Sequence, residues 1–120
     1  MERKDWLLLI IKQADIRGLT PGQLQKSLFL FGKGAEKDKG IQPYKFVIHH
    51  YGPVAKEIYS DTEYLHTCGL VDILGFPGPS YGTYSLTLDG LEKADQLEKE
   101  IAPETKEYLM WCVRYAKYAI

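Results

Sequence analysis

The side chains of this sequence that most readily bind a metal ion are His49, His50, His66 and Cys68. Structural zinc sites use short spacings such as Cys-x-x-Cys and His-x-x-x-His, because neighbouring ligands on one turn preorganise the site. Neither spacing occurs in this sequence. We therefore predict no metal site and no bound cofactor.

Nucleophilic catalysis has no stronger support. Four serines lie outside the Gly-x-Ser-x-Gly context that presents a catalytic hydroxyl on a sharp turn; they are Ser27, Ser60, Ser80 and Ser85. Cys68 and Cys112 are not part of a recognisable active-site sequence. The glycines of Gly32–Gly34 follow a predicted helix, whereas a phosphate-binding loop precedes one. We expect a protein that is not an enzyme and that functions by binding.

The composition is typical of one small globular domain. Of its 120 residues, 45% are hydrophobic and 26% are charged, which suits a single core. The longest apolar run, Trp6–Ile11, is far shorter than the roughly 20 residues of a membrane span, and no secretory signal pattern is visible. Two widely separated cysteines favour reduced thiols. We expect a cytoplasmic, non-membrane protein with one domain over residues 1–120 (core 1–101, C-terminal helix 103–120).

Two helices are predicted at the N-terminus. The apolar run within Asp5–Ala14 covers every face, which is typical of a helix at the centre of a fold. The second helix has a clear start, because Thr20 can cap it, Pro21 fits the first turn and Gln23 completes a capping box. Its core stripe is formed by Leu24, Leu28 and Phe31.

The middle of the chain predicts an extended segment and a third helix. Tyr44–Tyr51 is rich in β-forming residues. Gly52 and Pro53 are expected to start the helix that follows, and Gly69 to end it. The buried face of this helix is expected to be formed by Val54, Ile58, Thr62 and Leu65.

The rest of the chain predicts two strands, at 70–74 and 83–88, joined by a turn rich in glycine and proline. Alternation predicts a buried face formed by Tyr84, Leu86 and Leu88. Asp89 is expected to cap a fourth helix, and Pro103 to start a fifth. Three helices followed by a two-stranded wing predict an α+β, mainly helical fold of the winged helix-turn-helix type, with two additional C-terminal helices.

Two segments resemble a known family. Gln23–Phe31 (Gln-Leu-Gln-Lys-Ser-Leu-Phe-Leu-Phe) resembles the Leu-Gln-Lys-Leu-Leu-Tyr-Phe helix of the Panacea, or SocA-like, antitoxin domain. Tyr51–Tyr59 (Tyr-Gly-Pro-Val-Ala-Lys-Glu-Ile-Tyr) resembles the Tyr-Gly-Pro-Val-x-x-x-Ile-Tyr segment of that domain. A group of YwgA-like bacterial proteins is similar over the same features. The resemblance implies a bacterial regulatory module that binds a protein partner, such as a toxin encoded beside it.

The candidate residues for partner binding are Lys26, Tyr51, Gly52, Pro53 and Tyr59. Gly-Pro at a helix start fixes the entry angle of the chain, and flanking tyrosines supply a rigid amphipathic surface for a protein. A purely structural helix start, with both tyrosines packed on the core, is the alternative. Gln25 and Lys26 lie off the core stripe, so both are expected to face solvent or a partner.

DNA binding is the alternative function that a winged helix suggests. Residues 1–51 carry nine basic and five acidic side chains (+4), whereas 52–88 carry one basic and four acidic (−3). The third helix therefore has one lysine among three acids, although the usual geometry would bring it to the DNA. An atypical DNA surface could be formed by Lys33, Lys37, Lys39, Lys45 and Lys56. We expect protein binding ahead of a DNA-binding transcriptional regulator, and a combination of the two as a third option.

The final helix carries two apolar stripes, where a monomer needs one. The first comprises Tyr108, Trp111, Cys112 and Tyr115, and the second comprises Leu109, Val113, Ala116 and Ile120. One stripe is expected to pack on the domain, and the other to form a homodimer interface through Tyr108, Trp111 and Tyr115. Packing of both stripes within one chain is the alternative.

Overall fold

The computed structural model describes residues 1–34, 43–50, 52–75 and 82–118. Within these ranges the chain forms five α-helices and two antiparallel two-stranded sheets, an α+β and mainly helical fold. In chain order the elements are α1 Arg3–Lys12, α2 Pro21–Lys33, β1 Val47–His49, β2 Gly52–Val54, α3 Lys56–Thr67, β3 Val71–Leu74, β4 Thr83–Leu86, α4 Leu88–Glu98 and α5 Pro103–Tyr118. No helix in the described ranges combines the length and the apolar character needed to cross a membrane.

Helix α1 lies at the centre of the fold, as its uniformly apolar sequence predicts. All residues of Trp6–Ile11 are buried, and α1 packs against each of the other four helices and against β4. A helix surrounded by other elements needs apolar residues on every side, whereas a surface helix needs one stripe. The helix begins two residues earlier than predicted, with Asp5 accepting a hydrogen bond from the Glu2 backbone N–H (2.9 Å).

Helix α2 begins as predicted. The Thr20 hydroxyl accepts a hydrogen bond from the Gln23 N–H (3.2 Å), and the Gln23 side chain accepts one from the Thr20 N–H (3.0 Å). The predicted core stripe is fully buried and comprises Leu24, Leu28 and Phe31. Helices α2 and α5 form the most extensive helix–helix contact. The approach is closest at Gly34, where a Cβ would lie 2.2 Å from the ring of Tyr108 and the ring would have to shift.

The prediction that Gly52 and Pro53 start the third helix is wrong. Both residues belong to β2, which pairs antiparallel with β1 so that Gly52 lies opposite His49. Gly52 has a φ of 113°, a conformation outside the helical region that other residues rarely adopt. Proline is tolerated in this two-stranded ribbon because a ribbon has free edges where no N–H is needed. The helix itself starts at Lys56, after Ala55 in an extended conformation.

Helix α3 has most of its predicted core face. The buried positions that were predicted are Ile58, Thr62 and Leu65. Val54 was also expected on this face, but it lies in β2 and is half-buried. Gly69 follows the helix end with a φ of 78°, and its N–H donates to the His66 carbonyl (3.0 Å). This is the glycine-terminated helix end that the sequence predicts.

Asp61 is an acidic side chain of α3 that points into the protein. It is 4% exposed, and its carboxylate accepts two hydrogen bonds from Arg3 (2.7 and 3.0 Å) and one from the Tyr44 hydroxyl (2.7 Å). Burial, together with the hydrogen bond to Asp61, raises the pKa of Tyr44 well above its ordinary value, so the phenol stays protonated. The surface of α3 is therefore less acidic than its sequence indicates.

The β3–β4 hairpin lies where the second pair of strands is predicted. Tyr84 is buried as expected, and its backbone N–H and C=O pair with those of Leu19, between α1 and α2 (2.8 and 2.9 Å). Leu86 is half-buried. Leu88, predicted on the same buried face, is instead the first residue of α4 and is 86% exposed.

Helix α4 is capped by Thr87, and the prediction that Asp89 caps it is wrong. The Thr87 hydroxyl accepts a hydrogen bond from the Gly90 N–H (2.9 Å) and donates one to the Gly69 carbonyl (2.7 Å). A Cβ at Gly90 would lie only 1.9 Å from the carbonyl oxygen of Leu70. Close backbone contact therefore fixes α4 against the end of α3. Helix α5 begins at Pro103, as predicted.

Candidate functional site

An open groove of about 1000 Å³ lies between α2, the β1–β2 hairpin and the first turn of α3. We call it the α2–α3 groove. The described residues that line it are Gly22, Gln25, Lys26, Phe29, Leu30, His49, Pro53, Val54, Lys56, Tyr59 and Tyr115. Ligand sites commonly have volumes of about 300–1000 Å³ and mostly apolar walls, so this groove has the capacity for several side chains of a binding partner.

The groove brings together predicted partner-binding residues from two separate segments. Lys26 comes from α2, whereas Pro53 and Tyr59 come from β2 and α3. Gly52 lies beside Pro53 in β2 but does not line the groove, and Tyr51 lies outside the described residues. The structure therefore places three of the five predicted residues on one surface.

Gln25 does not face solvent, contrary to the sequence-based prediction. It is 4% exposed, its side-chain amide donates to the Ala55 carbonyl (3.0 Å), and its side-chain carbonyl accepts from the Ala55 N–H (2.9 Å). One buried side chain thus satisfies both backbone groups of Ala55, as buried polar groups require. The pair ties α2 to the junction between β2 and α3, which fixes the two walls of the groove relative to each other.

Aromatic side chains supply much of the groove lining. Phe29 is half-buried and contacts Phe46 edge-on, with ring centroids 5.3 Å apart. The ammonium of Lys26 lies over the ring of Tyr115, 5.2 Å from its centroid. This cation–π contact links α2 to α5. The surface of the groove is consequently apolar, with positive charge at its edge.

Tyr115 also belongs to a row of stacked rings on α5, which we call the aromatic ladder: Tyr108, Trp111 and Tyr115. The first two rings are nearly parallel (9°) with centroids 5.8 Å apart, and the second two lie 5.2 Å apart. Trp111 is 48% exposed and Tyr115 44% exposed. Tyr108 is half-buried and its hydroxyl donates to the Leu30 carbonyl (2.8 Å). Burial is also the main cause that raises its pKa to about 12.

Cys112 belongs to the opposite face of α5 from the one predicted. The buried face comprises Leu109, Cys112, Val113 and Ala116. Burial raises the pKa of the Cys112 thiol to about 12, so the thiolate is disfavoured at neutral pH. Cys112 is therefore a packing residue, and the exposed stripe of α5 is the aromatic one alone. Ile120 lies outside the described residues.

The predicted DNA-binding lysines are only partly described. Lys33, Lys45 and Lys56 are exposed, whereas Lys37 and Lys39 lie outside the described residues. Lys33 is at the C-terminal end of α2 with its ammonium 5.3 Å from the ring centroid of Phe29, and Lys56 lines the groove. The exposed acids of α3 are Glu57 and Glu63, because Asp61 is buried.

Two of the polar residues considered for catalysis or metal binding form hydrogen bonds within the fold. The Ser27 hydroxyl donates to the Gln23 carbonyl (2.8 Å), and Nδ1 of His66 lies 2.7 Å from the Val71 carbonyl oxygen. In the part of the chain that the structure describes, no three metal-ligating side chains lie together. Ser27 thus bonds to the preceding turn of α2, and His66 bonds to the start of β3.

Comparisons of this chain with models of protein families, with curated proteins and with solved structures gave no match. The site is therefore interpreted from its own geometry. Most of the described lining residues were not predicted to bind the partner, and Phe29 and Tyr115 are the two aromatic ones among them. Gln25 was expected to face solvent or a partner, but it is buried at the base of the groove. Phe29 lies off the core stripe without a polar signal, and Tyr115 is brought close to α2 only by the fold.

Proposed function

We propose that this chain is a cytoplasmic winged-helix-type interaction module that binds a protein partner in the α2–α3 groove. The order of three helices followed by the β3–β4 hairpin supports the winged-helix assignment. The bridge between Leu19 and Tyr84 adds support, because it extends the hairpin by a third, one-residue strand between α1 and α2. The β1–β2 hairpin is an addition to the predicted arrangement.

The observation that carries the proposal is the convergence of Lys26, Pro53 and Tyr59 on one open, aromatic-lined groove. Aromatic residues are enriched in protein interfaces because they bury a large area with few rotatable bonds. The hydrogen bonds between Gln25 and Ala55 hold the two walls of the groove together, which favours a preformed binding site. Residue types and geometry thus agree on binding.

The proposed nature of the partner is supported by the two segments that resemble the Panacea-type antitoxin domain. Gln23–Phe31 contributes the α2 wall of the groove, and the segment up to Tyr59 contributes the opposite wall. Both similarities therefore concern the same surface, although they lie far apart in the chain. We propose a toxin-like protein, encoded beside this one, as the partner.

Co-expression of the tagged chain with the products of flanking genes tests this function. We expect one neighbour to co-purify with the unmodified chain and to be lost from the Tyr59→Ala variant. Tyr64→Ala is the matched control, because Tyr64 is an exposed tyrosine of α3 that does not line the groove. Equal loss in both variants, or equal retention, would contradict the groove as the binding site. Circular dichroism confirms that each variant is folded.

We further propose that the aromatic ladder joins two copies of the chain. The exposed parts of Trp111 and Tyr115 support this, whereas Tyr108 contributes mainly through the α2–α5 contact. Light scattering should give the mass of a dimer for the unmodified chain and of a folded monomer for Trp111→Asp. A monomeric unmodified chain would end this proposal without affecting the groove.

DNA binding is the second candidate function, favoured by the exposure of Lys33, Lys45 and Lys56. The connection between α2 and α3 disfavours it. A helix-turn-helix joins its helices by a turn of about 3–4 residues, whereas here residues 34–55 intervene and include a hairpin. Titration of random duplex DNA over a salt series distinguishes the two functions. Micromolar binding that falls steeply with salt would support the regulator.

A further inference from the structure

The charges around the α2–α3 groove have one sign. Lys26 and Lys56 line it and are exposed, and His49 lies beside them. None of the described lining residues is acidic. Within the described residues neither Lys26 nor Lys56 forms an ion pair, whereas Arg3, Lys12 and Lys117 do. The groove thus combines an apolar lining with two cations that have no carboxylate partner in this part of the chain.

The acidic residues nearest in sequence are directed elsewhere. Glu57 follows Lys56, but its charge acts on Arg3, on the side of α3 that carries Asp61. Asp61 is itself paired with Arg3. Since residues i and i+4 share one face of a helix, Glu57 and Asp61 form one face of α3, and Lys56 and Tyr59 form the face toward the groove. Glu63 is exposed on the same side of α3 as Tyr59, but it does not line the groove and forms no ion pair with Lys56 within the described residues.

The backbone of the groove wall offers little to an added strand. Gln25 binds both the N–H and the C=O of Ala55, and β2 is only three residues long with Pro53, which has no N–H, at its centre. An extended peptide that adds to a sheet needs free backbone groups at a strand edge. A helix satisfies its own backbone groups and contacts the groove through its side chains alone, so it does not depend on a strand edge.

We propose that the occupant of the α2–α3 groove is an acidic amphipathic helix of the partner protein. Its apolar side chains, spaced at i, i+3 or i+4 and i+7, pack on Phe29, Val54 and Tyr59, and its carboxylates lie against Lys26 and Lys56. The proposal rests on the proposed function, namely that the groove binds a protein, and adds the chemistry of the bound segment. Single-stranded nucleic acid also combines charge with ring stacking, but its bases need exposed ring faces, and Phe29 is half-buried against Phe46.

The test uses a labelled 14-residue peptide with leucine and phenylalanine at helical spacing and glutamate at the remaining positions. A matched peptide carries lysine at every glutamate position, and a third has the acidic composition in scrambled order. Fluorescence anisotropy with the full chain should show binding of the acidic amphipathic peptide only, weakening as salt rises. Lys26→Glu combined with Lys56→Glu should weaken the affinity for this peptide about tenfold or more, because two attractive charge interactions become repulsive.

The matched control combines Lys93→Glu with Lys99→Glu, which changes the net charge equally at exposed positions of α4 and its end. It should bind like the unmodified chain. Equal binding of the acidic and basic peptides, or equal weakening in both double variants, overturns the proposal. Tighter binding of a labelled oligothymidylate than of the acidic amphipathic peptide also overturns the proposal and points to single-stranded nucleic acid.

The two proposals fail separately. If no peptide binds but a neighbouring protein is still captured in a Tyr59-dependent way, the groove binds a protein and the acidic helix is wrong. If neither a peptide nor a neighbouring protein binds, both the acidic-helix proposal and the proposed function fail. A captured partner whose contact segment is acidic and helical, and whose binding the Lys26 and Lys56 double variant abolishes, supports both.

Discussion

Gln25 gives the sharpest quantitative prediction. Gln25→Ala removes two buried hydrogen bonds and leaves the Ala55 N–H without a partner, whereas the Ala55 carbonyl still accepts from the Ile58 N–H (3.2 Å). Each buried backbone group left unsatisfied costs about 1–3 kcal/mol, and the higher helix propensity of alanine returns a few tenths of a kcal/mol. We therefore expect the free energy of unfolding to fall by about 1–3 kcal/mol, less than the roughly 5–15 kcal/mol of a typical domain.

A second variant separates hydrogen bonding from packing. Gln25→Glu keeps the size of the side chain and can still accept from the Ala55 N–H, but at neutral pH it has no proton to donate to the Ala55 carbonyl. Burial and the facing carbonyl favour its protonated form. A raised folded-state pKa gives stability below the unfolded value, near 4.3, and loses it as pH rises. The deficit of Gln25→Glu relative to the unmodified chain should therefore shrink toward pH 4.

Urea denaturation followed by far-ultraviolet circular dichroism measures both effects. Gln96→Ala is the control, because Gln96 is an exposed glutamine of α4. It should change the free energy of unfolding by less than about 0.5 kcal/mol. If Gln25→Ala is equally mild, or if Gln25→Glu matches the unmodified chain at neutral pH, the Gln25–Ala55 clamp does not contribute as argued.

Three other features give direct predictions. Gly90→Ala should destabilise the chain by about 2 kcal/mol or more in the same denaturation assay, because its Cβ would lie 1.9 Å from a backbone oxygen. Gly22→Ala is the control and should be neutral or stabilising, because its Cβ would meet nothing within 4 Å. Thr87→Ala should cost about 1 kcal/mol and Asp89→Ala clearly less, since Thr87 is the cap; the reverse order would contradict the cap assignment. Burial acts to raise the pKa of Glu98, but hydrogen bonds from Lys12 and a neighbouring glutamine outweigh it and lower the pKa. Its stabilisation is present above the unfolded pKa and lost as pH falls through the folded value, so Glu98→Gln should flatten the acid side of the stability profile.

Features set by neighbouring residues were predictable from the sequence. The capping box of Thr20 and Gln23 and the central position of α1 depend on residue types within a few positions, and the structure contains both. The cap of α4 was misplaced by two residues because threonine and aspartate are both good caps. Contact with the end of α3 selects Thr87.

Features set by distant residues were not predictable. Gln25 and Asp61 look like solvent-facing side chains in their helices, yet their partners lie 30 and 58 residues away. Gly52 and Pro53 fit a helix start as well as a strand end, and pairing with β1 decides between them. For the groove, the sequence identified Lys26 and Tyr59, but not that α5 would add an aromatic ring beside them.

The central position of α1 has a consequence for how the molecule opens. Four helices pack on α1, so detaching any one of them exposes part of its fully buried Trp6–Ile11 segment to water. Partial opening is then nearly as unfavourable as complete unfolding, and the described elements should behave as one cooperative unit. We expect the amide protons of α1 to exchange with deuterium only through global unfolding. A partner bound in the α2–α3 groove would slow that exchange as well, because it stabilises the folded state as a whole.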